Sequence, residues 1–393
     1  MLSIQAAPMT AMLGNGLSPG TALLAWRNLA HDRTRLVATL VGIAFSVVLM
    51  GAQLGLLIGF SQTASTLVDH IDADLWVIPL GTTNADIAGR MPERRRFEAL
   101  SVPGVASINE LMVQFAFWRK PDGGRESVII TGFSMASGRG APWAMVEGEV
   151  SDLQVADGII IDRLYMKKLG VTAIGQEIDI NNRRARVVGF TQGIRTFTQS
   201  PYVFTTHDRA QSLTLGRNDE TTYLLVKLVA EADTETVRTA LAERLPWVEV
   251  LTRAQFARRT QAYWMITTGA GAALLLAASL GLIVGIVIVG QTLYASTLDR
   301  LAEYATLRAI GADHRYLNRV ILQQASISAA LGFALGLTVT LAMVAYSQTG
   351  NVAMALPPWA IVVLGLLTLG MCLAGAWVSI RRVTRIDPTL VFQ

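Results

Sequence analysis

The 393-residue chain has a single cysteine, Cys372, and only four lysines: Lys120, Lys167, Lys168 and Lys227. One thiol cannot close an intrachain disulfide, so packing must hold the fold. Cys372 lies within an apolar run and reads as a small buried side chain. No lysine follows a glycine, and G-x-x-x-x-G-K-[S/T] does not occur. A P-loop needs glycine-rich backbone amides and that lysine to cradle phosphate, so no ATP site of that kind is expected here. H-E-x-x-H and C-x-x-C are missing as well, which leaves zinc hydrolysis without a signature. His31, His70, His207 and His314 are scattered and read as structural or solvated. No catalytic residue, metal site or cofactor is expected in this chain.

Charge is also scarce: 16% of residues are charged and 52% hydrophobic. The charges crowd between about residues 65 and 260 and nearly vanish elsewhere. Such segregation describes a membrane protein with one large water-exposed insert. The net charge of +4 follows from arginines flanking the apolar runs, so no nucleic-acid partner is implied.

The apolar runs define the organisation. Residues 1–20 lack the basic start and cleavage site of a secretory signal and read as a disordered lead. Residues 21–35 read as an interfacial amphipathic helix, with Trp26 at headgroup depth. Residues 36–60 carry no charge and are long enough for a first span. Gly51, Gly55 and Gly59 recur every fourth position there. They line one helix face and permit close backbone approach, as a packing seam within the fold or between two copies. Ordinary glycine enrichment in membrane helices is the plainer alternative. Residues 260–298 are uncharged and longer than one span requires, so a second span with an outward extension is expected. Gly281 and Gly285 give it a small-residue face. Residues 321–346 and 359–380 make the third and fourth spans, separated by turn signals at Ser347–Asn351 and Pro357-Pro358-Trp359. No ionisable residue lies in any span interior, so a proton relay or intramembrane ion path has no candidate.

The insert mixes alternating strand patterns, as at 73–78, 127–130, 176–180, 186–190 and 223–228, with helical stretches at 92–100, 162–169 and 233–245. This implies an α+β domain. Short loops set the orientation. Arg27, Arg33 and Arg35 precede the first span, Arg300, Arg308, Arg315 and Arg319 separate the second and third, and Arg381, Arg382 and Arg385 follow the fourth. By the positive-inside rule both termini and the 299–319 segment are cytoplasmic, and the insert is extracytoplasmic.

Residues 299–313 form a charged island between apolar runs. On a helix, Asp299 and Glu303 share a face beside Arg300 and Arg308, with Leu307 apolar and Gly311 able to end the helix. A short amphipathic helix of this kind can present side chains to a soluble partner. Its plainer reading is a solvated loop with topology-anchoring arginines.

These residues carry a resemblance. Arg300, Glu303 and Leu307-Arg308-Ala309-Ile310-Gly311-Ala312 resemble the R-x-x-E-x-x-x-L-R-A-I-G-A signature of type VII ABC permeases, the group of MacB, FtsX, LolC and DevC. Arg385-Ile386-Asp387-Pro388 resembles the group's terminal R-I-D-P, and Ala25-Trp26-Arg27-Asn28-Leu29 its opening A-x-R-N-L. Ala73-Asp74-Leu75, Pro103-Gly104-Val105 and Val187-Val188-Gly189 resemble its insert motifs.

The resemblance implies four transmembrane helices and an extracytoplasmic α+β domain between the first two. That domain would have a mixed α/β membrane-proximal lobe (61–108 with 219–259) and a mostly β distal lobe (109–218). Residues 299–319 would be the cytoplasmic coupling segment, with Asp299, Arg300, Glu303, Tyr304, Leu307, Arg308 and Gly311 facing a separate ATPase, and 381–393 a cytoplasmic tail. It further implies a homodimer in a bacterial inner membrane. Two ABC ATPase subunits would hold the ATP and magnesium, and a periplasmic adaptor and outer-membrane channel would be further partners. The implied work is export of a lipid, glycolipid, hydrophobic compound or peptide. FtsX-like control of a cell-wall hydrolase and LolC-like lipoprotein extraction are the alternatives.

Overall fold

A computed structural model of the protein describes residues 33–214, 216, 219–299, 314–350 and 352–383. The expected lead, most of the interfacial helix, residues 300–313 of the coupling segment and the 384–393 tail lie outside the described residues. In chain order the insert elements follow α1 (Arg33–His70): β1 (Leu75–Pro79), β2 (Met91–Pro92), α2 (Arg95–Leu100), β3 (Val105–Arg119), β4 (Arg125–Phe133), β5 (Met145–Glu147), β6 (Gly158–Asp162), α3 (Met166–Leu169), β7 (Glu177–Ile180), β8 (Arg183–Thr191), β9 (Tyr202–Thr206), α4 (His207–Leu213), β10 (Glu220–Thr221), β11 (Tyr223–Leu228), α5 (Thr234–Arg244), β12 (Val248–Thr252) and α6 (Arg253–Ala262). Three long helices complete the chain: α7 (Ala270–Asp299), α8 (His314–Ser347) and α9 (Pro358–Val383). The described residues form two units. One is helical, from 55 downward, 274–344 and 356 onward; the other comprises 56–273 with 345–355.

In the helical unit, α1, α7, α8 and α9 each hold a stretch long and apolar enough to cross a membrane. Ile43, Val47, Met50, Val289, Ala325, Leu364 and Cys372 share one buried cluster. The expected small-residue faces turn inward. A Cβ at Gly51 would lie 2.8 Å from Thr340 Cγ2 and 3.2 Å from Leu364 Cδ2. One at Gly281 would meet Leu49, and one at Gly285 would overlap Met371 and Ser46. At the α7–α9 crossing, a Cβ on Gly375 would sit 2.9 Å from the Gly290 nitrogen, a pair that simple four-residue spacing does not reveal. Gly51→Leu therefore strains this chain's own helices and should lower stability by roughly 1–3 kcal/mol, as overpacking does. Thermal unfolding in detergent measures this. An unchanged melting temperature would mean that the Gly51 face is slack.

Two helix boundaries differ from expectation. α1 runs ten residues past position 60, because hydroxyls at Thr63 and Thr66 satisfy carbonyls one turn back and Ser65 donates to Asp69. The second span is not continuous from 260. A π-turn at Tyr263–Thr267 follows α6, and Gly269, at φ +78°, breaks the helix before α7 begins. Only glycine adopts that left-handed conformation without cost.

In the insert unit the main sheet has ten strands in the order β12-β1-β11-β3-β4-β9-β6-β8-β5, with β7 joining β3 and β8. Pairing is antiparallel except for β4 with β9 and β6 with β8. Strand alternation explains why all of β1 is buried. Leu75 and Val77 face Leu224, Val226, Val250 and the α2–α5 residues Ala99 and Leu241. Trp76 and Ile78 face Tyr223, Leu225, Phe256 and, from α1, Leu67 and Val68. Both faces are covered, so the strand needs apolar residues at every position. Strands from both expected lobes join in this one sheet, because β3 is fifteen residues long and pairs with β11 at its start and β4 along the rest.

The insert motifs gain physical reasons. Asp74 accepts the Leu228 amide at the register shift of β11 and pairs with Lys227. Gly104 has φ +92° and sits where a Cβ would lie 2.6 Å from Val237 of α5. Asp233 caps α5 by accepting the Thr236 amide.

Candidate functional site

Within the insert unit, the ends of several chain segments meet at the loop between β8 and β9. That loop runs from Gln192 to Pro201. Arg195 is 8% exposed. Its Nε donates to the Gly350 carbonyl at 3.1 Å and its Nη2 to the Gln348 carbonyl at 2.5 Å. The loop thereby holds the turn between α8 and α9, which is further fixed by the Ser347 hydroxyl accepting the Met354 amide. Gly59 of α1 closes on the same turn, since a Cβ there would lie 2.1 Å from the Ala353 oxygen.

Two positions further along, Phe197 stands between Phe60 of α1, with ring centroids 5.4 Å apart and near-perpendicular, and Trp264 of the π-turn at 4.7 Å. Each such pair is worth about 0.5–1.5 kcal/mol beyond its buried area. Gln261 of α6 donates to Ser65 of α1, and Ser65 donates to Asp69 at 2.6 Å. His70, the last residue of α1, stacks on Trp143 at 4.1 Å. The chain's exits from α1 and the α8–α9 turn and its entry to α7 are thus tied to one loop by aromatic stacking and buried polar bonds.

Behind this junction lies Asp86. Asn84 turns the loop after β1 by accepting the Asp86 and Ile87 amides. The Asp86 carboxylate is 2% exposed and accepts the Tyr202 hydroxyl at 2.8 Å. The Trp264 indole N–H faces the same carboxylate without closing a hydrogen bond of ordinary geometry. Tyr223 donates beside it to the Ala85 carbonyl. Burial pushes the Asp86 carboxyl up to about 6, against the opposing pull of Tyr202 and Trp264. The same burial, with Asp86 adjacent, holds the Tyr202 phenol well above its ordinary range.

Of the expected coupling residues only Asp299 is described, and it pairs with Arg35 of α1. Arg300, Glu303, Tyr304, Leu307, Arg308 and Gly311 lie outside the described residues. Gly51, Gly281 and Gly285 are in the helical unit, Gly55 is buried at its edge, and Gly59 is in the insert unit. Among the described residues no cluster of His, Cys, Asp or Glu could hold a metal ion. Sequence reading missed Arg195, Phe197 and Asp86. The one available signal was an aromatic, Trp264, at the start of an uncharged run.

The fold defines a class: a multi-pass membrane protein with an α/β domain inserted between its first and second spanning helices. A family model for the MacB-like periplasmic core domain matches residues 36–244, and one for the FtsX-like permease C-terminal region matches 257–388. The chain belongs to the MacB-like periplasmic core domain family and is a type VII ABC transporter permease. Two relatives in Mycobacterium tuberculosis, both described as uncharacterised ABC transporter permeases, are 24% identical over 375 residues and 25% over 372; each alignment covers 94% of this chain and 98% of the relative. Among solved structures, the periplasmic region of MacB from Actinobacillus actinomycetemcomitans matches at a TM-score of 0.38 and 10% identity, over 49% of this chain and 94% of that one. The extracellular domain of the ABC-type transporter YknZ matches at 0.34 and 15% identity, over 46% and 99%.

Proposed function

We propose that this permease is the membrane subunit of an ATP-driven export or mechanotransmission complex. A separate ABC ATPase docks at the cytoplasmic 299–319 segment and hydrolyses ATP in its own site, and the insert domain moves on the other side in response. Both termini are cytoplasmic, the insert is periplasmic, and the permease works as a homodimer in the bacterial inner membrane. The cargo is a lipid, glycolipid, hydrophobic compound or peptide, handed to a periplasmic adaptor and outer-membrane channel. The observation that carries this reading is the junction at the 192–201 loop. A domain that is to be driven by its spans needs stiff attachment where the chain enters and leaves it, and Arg195 and Phe197 supply that attachment to three segments.

The test is Phe197→Ala in a complex reconstituted with its ATPase. ATP hydrolysis should stay near the parent rate while the cellular function is lost, because the motor runs but the domain no longer follows. Full function with Phe197 removed would show that force does not pass through this junction.

A further inference from the structure

Beside the junction, and wholly within the insert unit, is a cleft of about 350 Å³. One wall is the last part of α1, with Gln62, Thr63, Asp69 and His70; the opposite lining includes Arg195 and Ala353. The volume lies in the usual range of small-molecule sites.

Arg195 is unusual in this setting. The residue is 8% exposed, yet among the described residues its bonded partners are two neutral carbonyls and no carboxylate. A largely buried cation bonded directly only to neutral carbonyls is costly, and an anion bound against it would relieve that cost. Nη1 makes no hydrogen bond among the described residues, so a donor remains for an anionic oxygen. The hydroxyl of Thr63 is used up on the helix carbonyls of Gly59 and Phe60. Asp69 is exposed and adds a negative charge to the same cleft. One fixed cation and one fixed anion suit a ligand that is itself zwitterionic, and they disfavour one with two negative charges.

The place of the cleft in the chain says what such a ligand is. Its α1 wall reaches Asp69, the first charged residue after Arg35, and Gln348–Ala355 is the turn between the α8 and α9 spans. Phe60, Phe197, Tyr263 and Trp264 cluster beside it, and aromatic side chains of that kind favour the headgroup layer.

We infer that the Arg195 cleft binds the phosphodiester headgroup of a membrane lipid, with Arg195 taking the phosphate and Asp69 a headgroup ammonium. The site does not depend on the export reading, since a lipid held there could be cargo or a fixed part of the junction.

The test is calorimetric titration of the full chain, purified in a non-ionic detergent, with dihexanoylphosphatidylethanolamine. Saturable binding is expected, weakened about tenfold or more in Arg195→Gln, as loss of a charge-assisted bond implies. Gln62→Trp crowds the cleft from its exposed wall and leaves the bonds of Arg195 to the turn intact. It should weaken binding as much while melting like the parent. Dihexanoylphosphatidylglycerol should bind less tightly, and inorganic phosphate should not saturate. Equal binding of inorganic phosphate would make this a free-anion site and overturn the proposal. Absence of lipid binding, or binding that both variants leave unchanged, would reduce Arg195 to a clamp on the α8–α9 turn.

Discussion

Asp86→Asn should stabilise the protein at neutral pH and leave it nearly unchanged at pH 4. The sign follows from the direction of the shift. The folded-state carboxyl titrates at about 6, above its ordinary 3.8. The folded state therefore holds this proton more tightly than the unfolded chain does. That contribution is fully present below pH 3.8 and is lost as pH rises through 6. A shift of about two units corresponds to roughly 3 kcal/mol at pH 7. An asparagine keeps an oxygen for the Tyr202 hydroxyl and never ionises. The melting-temperature difference between variant and parent should then grow from near zero at pH 4 to roughly 6–12 °C at pH 7.5, for a domain of this size. Contributions of all other groups are common to both proteins and cancel in the difference. A difference that does not vary with pH would show that Asp86 is solvated when ionised. Because Asp86 reaches both the sheet, through Tyr202, and the π-turn, beside Trp264, its charge state bears on the junction as well as on stability.

Glu303→Lys should uncouple the permease from its ATPase. The expectation rests on sequence: on a helix Glu303 would share a face with Asp299, and it falls in the stretch that resembles the type VII permease signature. At a partner interface, removing one member of a hydrogen-bonded charge pair costs about 2–5 kcal/mol, and reversing the charge adds repulsion. Affinity for the ATPase should fall by at least about tenfold, each tenfold being about 1.4 kcal/mol, and permease-dependent function should disappear with it. Pull-down of the ATPase from detergent and hydrolysis by the reconstituted complex measure the two effects. Normal binding, normal hydrolysis and normal cellular function together would leave Glu303 as a surface charge.

Local properties were legible in the chain. Three uncharged runs, the last divided by turn signals, specify four spanning helices, because hydrocarbon admits no unpaired backbone and few charges. Period-two patterns located β1, β4, β7, β8 and β11, and the helical stretch at 233–245 located α5. Elements with mixed patterns were missed. β12 and α6 follow each other without a turn signal, and only the reciprocal bonds between Thr252 and Gln255 mark the change from strand to helix. The break at Gly269 was hidden because a glycine in an apolar run is compatible with a helix until its backbone is seen at positive φ.

The sequence by itself determined the class of this protein: where it is apolar, how often it crosses, what lies between the first two crossings, and which signature residues 299–312 carry. Those are consequences of composition and short-range periodicity. Tertiary structure alone decided what the glycines and the buried charges do. Gly51 meets Thr340 and Leu364 of this chain's own later helices, so the close approach it permits is spent within one copy. Asp86 and Tyr202 are 116 residues apart, and Arg195 and Gly350 are 155 apart. No local pattern encodes a pairing over that distance. It exists because one ten-stranded sheet brings distant loops of the insert unit together, where a carboxylate and a guanidinium lose water and come to depend on the few groups left around them.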